Sequence, residues 1–170
     1  GYCRGTACCA PTDSATTAWY YSFMDLPSKV VLATDHAGFK LKESIKAHLA
    51  KKGIDVIDVG TFSDESCDYP AIIRKGCGAV LDEGVPGVVF GGSGIGESIA
   101  ANKVKGIRSA RCCTVKDAQM CRKHNNANVM SLGGRMVPAG RARKMVGVFL
   151  TTDFEGGRHQ RRVDDLETNL

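Results

Sequence analysis

The sequence has little of what marks several specialised classes of protein. Aromatic residues make up only 6% of its 170 residues, and no apolar run is long enough to span a membrane. The net charge of +5, from 23 basic and 18 acidic residues, suits an anionic ligand but does not require nucleic acid. With 43% hydrophobic residues the chain is long enough for one well-buried core, so we expect a single folded domain.

The eight cysteines form no recognisable metal or disulfide pattern. Neither Cys8-Cys9 nor Cys112-Cys113 has the Cys-x-x-Cys spacing of a zinc knuckle, and the other cysteines are scattered. No secretory hydrophobic region precedes the predicted globular part. We therefore expect a cytoplasmic protein with reduced thiols and no metal site.

The first 28 residues differ from the rest of the chain. They are small, polar and aromatic, without a helical or strand period, and the first of them is Gly rather than Met. We interpret residues 1–28 as an appended or flexible segment and residues 29–170 as the functional domain.

From Lys29 onward, short apolar runs alternate with amphipathic stretches, which is typical of parallel strands joined by crossover helices. The apolar runs lack polar alternation, so both faces of the sheet should be covered. In the intervening stretches apolar residues share one helical face, as Ile73, Cys77, Val80 and Leu81 do. The pattern predicts an α/β fold, a doubly wound, Rossmann-like three-layer sandwich with a five-stranded, mainly parallel sheet. The predicted strands are Val30–Thr34, Asp55–Val59, Gly87–Phe90, Ser109–Cys112 and Val129–Leu132.

A glycine-rich loop, Gly91 to Ser98, directly follows the third predicted strand, where such sheets bind ligands. Its glycines, Gly92, Gly94 and Gly96 among them, let backbone amides approach an anion. The loop does not match the dinucleotide-binding spacing, and Glu97 stands where a phosphate-binding loop needs lysine. A structural turn that ends in a solvated glutamate remains the alternative.

Polar residues lie near the ends of other predicted elements. Asp35 and His36 follow the first strand, where a helix cap is the simpler interpretation. The stretch 122–128 precedes the fifth strand and Arg135 follows it, whereas Arg158 and Arg162 share a helical face near the end of the chain. Each group could be a solvated surface, but together they suggest one phosphate-binding crevice.

These motifs resemble the ribose-5-phosphate isomerase B family, which also includes allose-6-phosphate and galactose-6-phosphate isomerases. The resemblance covers nearly all of residues 29–165. It rests on Asp35-His36-Ala37-Gly38-Phe39-Lys40, Asp68-Tyr69-Pro70, the glycine loop with Ala100-Ala101-Asn102-Lys103, His124-Asn125, and Gly157-Arg158-His159-Gln160. It implies a homodimer, or a dimer of dimers, whose active sites are completed by the neighbouring subunit.

The resemblance also implies residue roles. One branch of the family has a cysteine base at the position of Gly91, and the other has glycine there and uses the glutamate after the loop. This chain resembles the second branch, so Glu97 is the expected base. The other expected roles are oxyanion donation by Ser93 and the amides of Gly92 to Gly96, ring opening by His124 with Asp35, hydroxyl contacts from Tyr69, Asn125 and Asn128, and phosphate binding by His36, Arg135, Arg158 and Arg162.

The expected activity is interconversion of ribose 5-phosphate and ribulose 5-phosphate in the non-oxidative pentose phosphate pathway. The reaction moves a proton between C2 and C1 through an enediolate, so it needs a base and oxyanion donors but no cofactor. Isomerisation of a six-carbon sugar phosphate remains open, as does a non-catalytic phosphate or nucleotide sensor. An RNA-associated module that uses the basic C-terminal tail is a third possibility, but the predicted domain has no clustered aromatic platform for bases.

Overall fold

The structure, a computed structural model, describes residues 26–168. Residues 1–25 of the predicted appended segment, which include Cys8 and Cys9, therefore lie outside the described residues. The described part of the chain contains five strands and six helices. In chain order they are β1 (Lys29–Thr34), α1 (Phe39–Ala50), β2 (Asp55–Asp58), α2 (Tyr69–Glu83), β3 (Gly87–Gly91), α3 (Ile95–Ala101), β4 (Ser109–Arg111), α4 (Val115–Asn125), β5 (Val129–Gly133), α5 (Ala139–Thr151) and α6 (Arg158–Thr168).

The five strands form one sheet in the order β2-β1-β3-β5-β4, and every neighbouring pair is parallel. All five predicted strands are confirmed, with ends that differ by one residue. Strands β3 and β5 each run one residue further than predicted because Gly91 pairs with Gly133 and extends the ladder. Strand β4 instead ends at Arg111, one residue before the predicted end.

A hydrophobic core lies on each face of the sheet, which confirms the three-layer prediction. On one face α1, α4 and α5 cover residues such as Leu32, Phe90 and Met130. On the other face α2 and α3 cover Val31 and Val89. Successive side chains along each strand point to opposite faces of the sheet, so each core receives every second residue.

One residue of the predicted apolar stripes is misplaced. Leu81 is 42% exposed, whereas Ile73, Cys77 and Val80 of the same helix are buried. Since each residue turns an α-helix by about 100°, Leu81 lies well round from Val80, at the margin of the buried face.

Leu26 and Ser28 are attached to the folded unit. Leu26 packs against the core that α1, α4 and α5 cover. The carbonyl of Ser28 accepts a hydrogen bond of 2.9 Å from the amide of Asp55, the first residue of β2. The contacts of the domain thus begin slightly before β1. No helix in residues 26–168 has the length and apolar character needed to cross a bilayer.

A buried ion pair joins α1 to β2. Lys42 is fully buried in α1, and its ammonium donates to both carboxylate oxygens of Asp58 at 2.8 Å and to the carbonyl of Thr61 at 3.1 Å. Lys46 reaches the same carboxylate at 2.7 Å from a more exposed position. Because Asp58 ends β2, this network fixes the edge strand against α1.

Candidate active site

A crevice of about 410 Å³ opens at the carboxyl ends of β1 and β3. The chain leaves these adjacent strands in opposite directions along the sheet, towards β2 and towards β4. Such a divergence separates the loops and leaves room for a ligand. The crevice is lined by Asp35, His36, Ala37, Tyr69, Gly92, Ser93, Gly96, Glu97, Arg135 and Met136.

A larger cavity, of about 510 Å³, lies near the opposite edge of the sheet. Most of its lining is apolar, and its only charged side chain is that of Arg122. That guanidinium already donates to the carbonyls of Thr152 and Ala127 and to the side chain of Asn126. The smaller crevice is therefore the better candidate for chemistry, because its lining combines carboxylates, hydrogen-bond donors and the guanidinium of Arg135.

Glu97 lies in the first turn of α3 and is only 4% exposed. Its Oε2 atom has no hydrogen-bond partner within residues 26–168. Burial raises the pKa of the Glu97 carboxyl above its ordinary value, and the negative charge of Asp35 acts in the same direction. The carboxylate fits because residue 91 has no side chain, since a Cβ there would overlap Cδ and Oε1 of Glu97.

The glycine loop is held in place by hydrogen bonds from neighbouring elements. Gly94 takes a left-handed conformation, with φ of 76°, and its carbonyl accepts from Ser131 Oγ at 2.7 Å. The carbonyl of Ser93 accepts from Arg111 Nε at 2.9 Å. The hydroxyl oxygen of Ser93 accepts from the amide of Ile95 at 3.2 Å, which leaves its hydrogen for a ligand. The loop is thus preorganised, and one of its hydroxyls can still donate.

Asp35 does not cap α1, because the N-cap is Gly38 and no side chain bonds the first turn of the helix. Asp35 is 6% exposed, and its Oδ1 accepts from the amides of Ala37 at 2.9 Å and Gly38 at 3.0 Å, which closes the turn between β1 and α1. It also lines the crevice. His36 beside it accepts from the amide of Cys67 at 3.2 Å through Nδ1, which places the proton of a neutral ring on Nε2.

Tyr69 and Arg135 complete this side of the crevice. Tyr69 begins α2, and a Cβ at position 96 would lie 2.8 Å from its hydroxyl, so Gly96 makes room for the ring. Arg135 follows β5 in an exposed position, and its backbone amide donates to the carbonyl of Gly92 at 3.1 Å. The structure therefore brings together eight of the predicted site residues at one sheet edge, and Gly94 lies in the same loop.

Five predicted site residues lie elsewhere in the chain, namely His124, Asn125, Asn128, Arg158 and Arg162. The expectation that the end of α4 joins the crevice is wrong within one chain. Helix α4 starts after β4 and runs back along the sheet, so its last residues reach the edge where strands begin. At that edge, the side chain of Asn128 accepts from the amide of Arg108 and donates to the carbonyl of Gly106, so both of its polar atoms are hydrogen-bonded to the backbone.

His124 belongs to a second polar cluster at that edge. Its ring stacks on that of His159, with centroids 4.4 Å apart and planes 10° from parallel. Its Nε2 lies 3.8 Å from Glu155 Oε2, while Glu155 Oε1 accepts from Lys123 at 3.0 Å. Arg158 Nε donates to His159 Nε2 at 3.4 Å. Together His124, Glu155 and His159 are a group of donors that could hold a metal ion.

Sequence reasoning assigned no role to Glu155, His159 or Arg111. His159 was noted only within a motif, and nothing local indicates that it stacks on a ring 35 residues earlier. Arg111 reaches the glycine loop from β4 because two elements that are not adjacent in sequence meet in the fold. For these contacts the sequence carries no periodic or spacing signal.

The chain matches known proteins over nearly all of its described length. Residues 30–166 match the family described as ribose/galactose isomerase. Over 141 residues the chain is 48% identical to ribose-5-phosphate isomerase B of Mycolicibacterium paratuberculosis, covering 81% of this chain and 89% of that protein.

Two solved structures show the same architecture. Ribose-5-phosphate isomerase B of Thermotoga maritima superposes with a TM-score of 0.81 at 45% identity, over 82% of this chain and 97% of that one. The enzyme of Mycoplasma genitalium, solved with bound ribulose 5-phosphate, gives 0.78 at 39% identity, over 82% and 93%.

Proposed function

The chain belongs to the ribose/galactose isomerase family, and from this premise we propose that it interconverts ribose 5-phosphate and ribulose 5-phosphate. The observation that carries the proposal is the buried carboxylate of Glu97 in the crevice, whose Oε2 atom has no hydrogen-bond partner in the described part of the chain. The reaction belongs to the non-oxidative pentose phosphate pathway, and we assign it to the cytoplasm.

The first step of the proposed mechanism is proton abstraction by Glu97. Its carboxylate removes the proton from C2 of the open-chain aldose and returns it to C1 of the enediolate. A raised pKa suits this task, because a base whose pKa is closer to neutrality both accepts and returns a proton readily. No electrons are exchanged with a cofactor, so the chain needs none.

Negative charge develops on the substrate oxygens during this transfer. We assign its stabilisation to the hydroxyl of Ser93 and to the amides between Gly92 and Gly96, which the bonds to Ser131 and Arg111 hold in place. Donors that are already oriented need no reorganisation as the charge forms. On the same side, we assign a hydroxyl contact to Tyr69 and phosphate contacts to Arg135 and His36.

The other half of the site would come from a second copy of the chain. In one subunit the ring-opening group His124, together with Asn125, Arg158 and Arg162, lies at the sheet edge opposite the crevice. Helix α3 presents Ile95, 50% exposed, and Ile99, 57% exposed, close to the crevice, as apolar surface for a partner to cover. We therefore propose a homodimer, or a dimer of dimers, with shared active sites. Asn128 is better explained as a backbone support than as a substrate contact.

The base and the phosphate contacts can be separated kinetically. Glu97→Gln keeps the side-chain size and removes the base, so kcat should fall by about 10²–10⁴-fold while binding of a phosphate sugar changes much less. Arg158→Ala should instead weaken phosphate-bearing ligands and leave turnover of unphosphorylated ribose almost unchanged. Near-normal kcat for Glu97→Gln would overturn the assignment of the base.

Subunit mixing tests the shared site. Glu97→Gln and Arg158→Ala proteins, each impaired alone, should recover part of the activity when exchanged, because a mixed dimer regains one intact site. No recovery despite verified subunit exchange would overturn the shared-site proposal. A turnover panel of ribose 5-phosphate, allose 6-phosphate and galactose 6-phosphate tests the sugar, and preference for a six-carbon substrate would replace the proposed one.

A further inference from the structure

The cluster of His124, Glu155 and His159 has donors that no step of the proposed reaction uses together. Each residue offers one ligand atom, and the three atoms lie within 4.8 Å of one another. In residues 26–168 it is the only such group of three or more histidine, cysteine and acidic side chains. Two imidazoles and one carboxylate form a ligand set that zinc and related transition metals favour.

We propose that His124, Glu155 and His159 bind a divalent transition-metal ion such as Zn²⁺, and that the ion inhibits the enzyme by capturing His124. Zinc bonds to nitrogen and oxygen are about 2.0–2.2 Å long, so tetrahedral ligand atoms lie about 3.4 Å apart. The atoms of His124 and Glu155 are already at 3.8 Å. The three ligand atoms now lie within 4.8 Å of one another, so movements of roughly an ångström would bring them to the spacing that zinc requires.

The side chains that must move are the ones free to do so. Glu155 and His124 are 45% and 38% exposed, so modest rotations bring their ligand atoms inward. His159 is only 7% exposed and serves as the fixed ligand. The stack places the two imidazole edges side by side, but each lone pair lies in the plane of its own ring, so the more exposed His124 ring must tilt out of the stack to share one ion with His159.

The neighbouring hydrogen bonds leave ligand atoms available. Lys123 binds Oε1 of Glu155 and leaves Oε2 for the ion. The contact from Arg158 Nε to His159 Nε2 is 3.4 Å, long for a hydrogen bond, and competes only weakly.

The surrounding cations limit the affinity. Lys123, Arg158 and Arg162 raise the local positive potential, which opposes a divalent cation and favours phosphate. We therefore expect weak, reversible binding. The ion is an inhibitor, and activity without metal remains intact in a chelator.

The functional consequence rests on the proposed function, because it assigns ring opening to His124. Ribose 5-phosphate enters as a ring, whereas ribulose 5-phosphate is open, since its C5 oxygen carries the phosphate. Zinc should therefore slow turnover of ribose 5-phosphate more than exchange of the C1 protons of ribulose 5-phosphate with solvent, which needs only Glu97.

Metal binding is measured first, without turnover. Full-length, reduced protein freed of metal with a chelator is titrated with Co²⁺ in a non-coordinating buffer, and with Zn²⁺ by calorimetry. One ion per chain should bind, with the visible absorption of tetrahedral or five-coordinate cobalt and no thiolate charge-transfer band. Glu155→Gln and His159→Gln should each lower the affinity by about tenfold or more. The matched controls Glu83→Gln and His48→Gln, placed on α2 and α1, should bind as the unchanged protein does.

The outcomes separate the two proposals. A thiolate band, absence of saturable binding, or affinities unaffected by both cluster variants would overturn the metal site. If binding is confirmed, zinc should inhibit turnover of ribose 5-phosphate over the same concentration range, and Glu155→Gln, which retains its basal activity, should resist that inhibition. Binding without inhibition would leave the site in place and overturn the ring-opening role of His124.

Discussion

Replacing Gly91 by alanine tests the positioning of the base without changing any polar group. A Cβ at position 91 would overlap Cδ and Oε1 of Glu97 and would lie 2.6 Å from Oε2, whereas ordinary contacts begin at 3.4 Å. The carboxylate must therefore move by about an ångström or more. Displacements of this size cost roughly 10²-fold in rate, or about 2.7 kcal/mol of transition-state stabilisation, so kcat for ribose 5-phosphate should fall about 100-fold.

The fold should survive this substitution. The three atoms nearest to the added Cβ all belong to the flexible end of Glu97, so the backbone need not shift. Gly147→Ala, in α5 with no atom within 4 Å of its added Cβ, is the matched control and should retain full kcat. Circular dichroism and melting temperature verify that both variants fold.

A double variant isolates the mechanism. In a Glu97→Gln background the base is already absent, so Gly91→Ala should cost little further activity, and the two losses should be strongly non-additive. Near-normal kcat for Gly91→Ala alone, or full additivity in the double variant, would refute the argument that Gly91 acts by making room for the carboxylate of Glu97.

Three other predictions follow from burial and charge. Burial holds the pKa of Glu97 above 4.5 in the folded state, so its stabilising contribution is complete at low pH and is lost as pH rises through that pKa. Glu97→Gln should thus melt at a higher temperature than the unchanged protein at pH 8, but not at pH 4. Lys42→Met removes the fully buried partner of Asp58 and leaves Lys46 as its partner, so it should lower the free energy of unfolding by about 1.5–3 kcal/mol in urea titrations. The same change at Lys46, whose side chain is 40% exposed, should cost about 1 kcal/mol or less. Removing residues 1–24, which have no periodic apolar face, should leave kcat/KM and melting temperature essentially unchanged.

The fold class could be predicted because it depends on local patterns. Continuous apolar runs such as Val30–Thr34, separated by amphipathic stretches, have few solutions other than a covered parallel sheet. A parallel sheet in turn puts every strand end at one edge. For that reason the neighbourhood of Asp35, His36 and the glycine loop was predictable without coordinates.

The position of the end of α4 shows where local reasoning failed. His124 stands just before β5 in the sequence, which suggested that it joins the strand-end residues. A crossover helix runs antiparallel to the strands it connects, so the residues before a strand lie at the opposite edge from those after it. The error came from treating nearness to a strand as nearness to its carboxyl end.

By itself, the sequence determined the sheet, the glycine loop and the identity of the carboxylate that follows the loop, because apolar period and glycine content act over a few residues. Only the tertiary structure decided that Glu97 is buried over Gly91, that Arg111 and Ser131 hold the loop, and that His124 stacks on His159. These features arise where elements distant in the chain pack together. Their distances depend on helix and strand placement, and no short-range pattern encodes that placement.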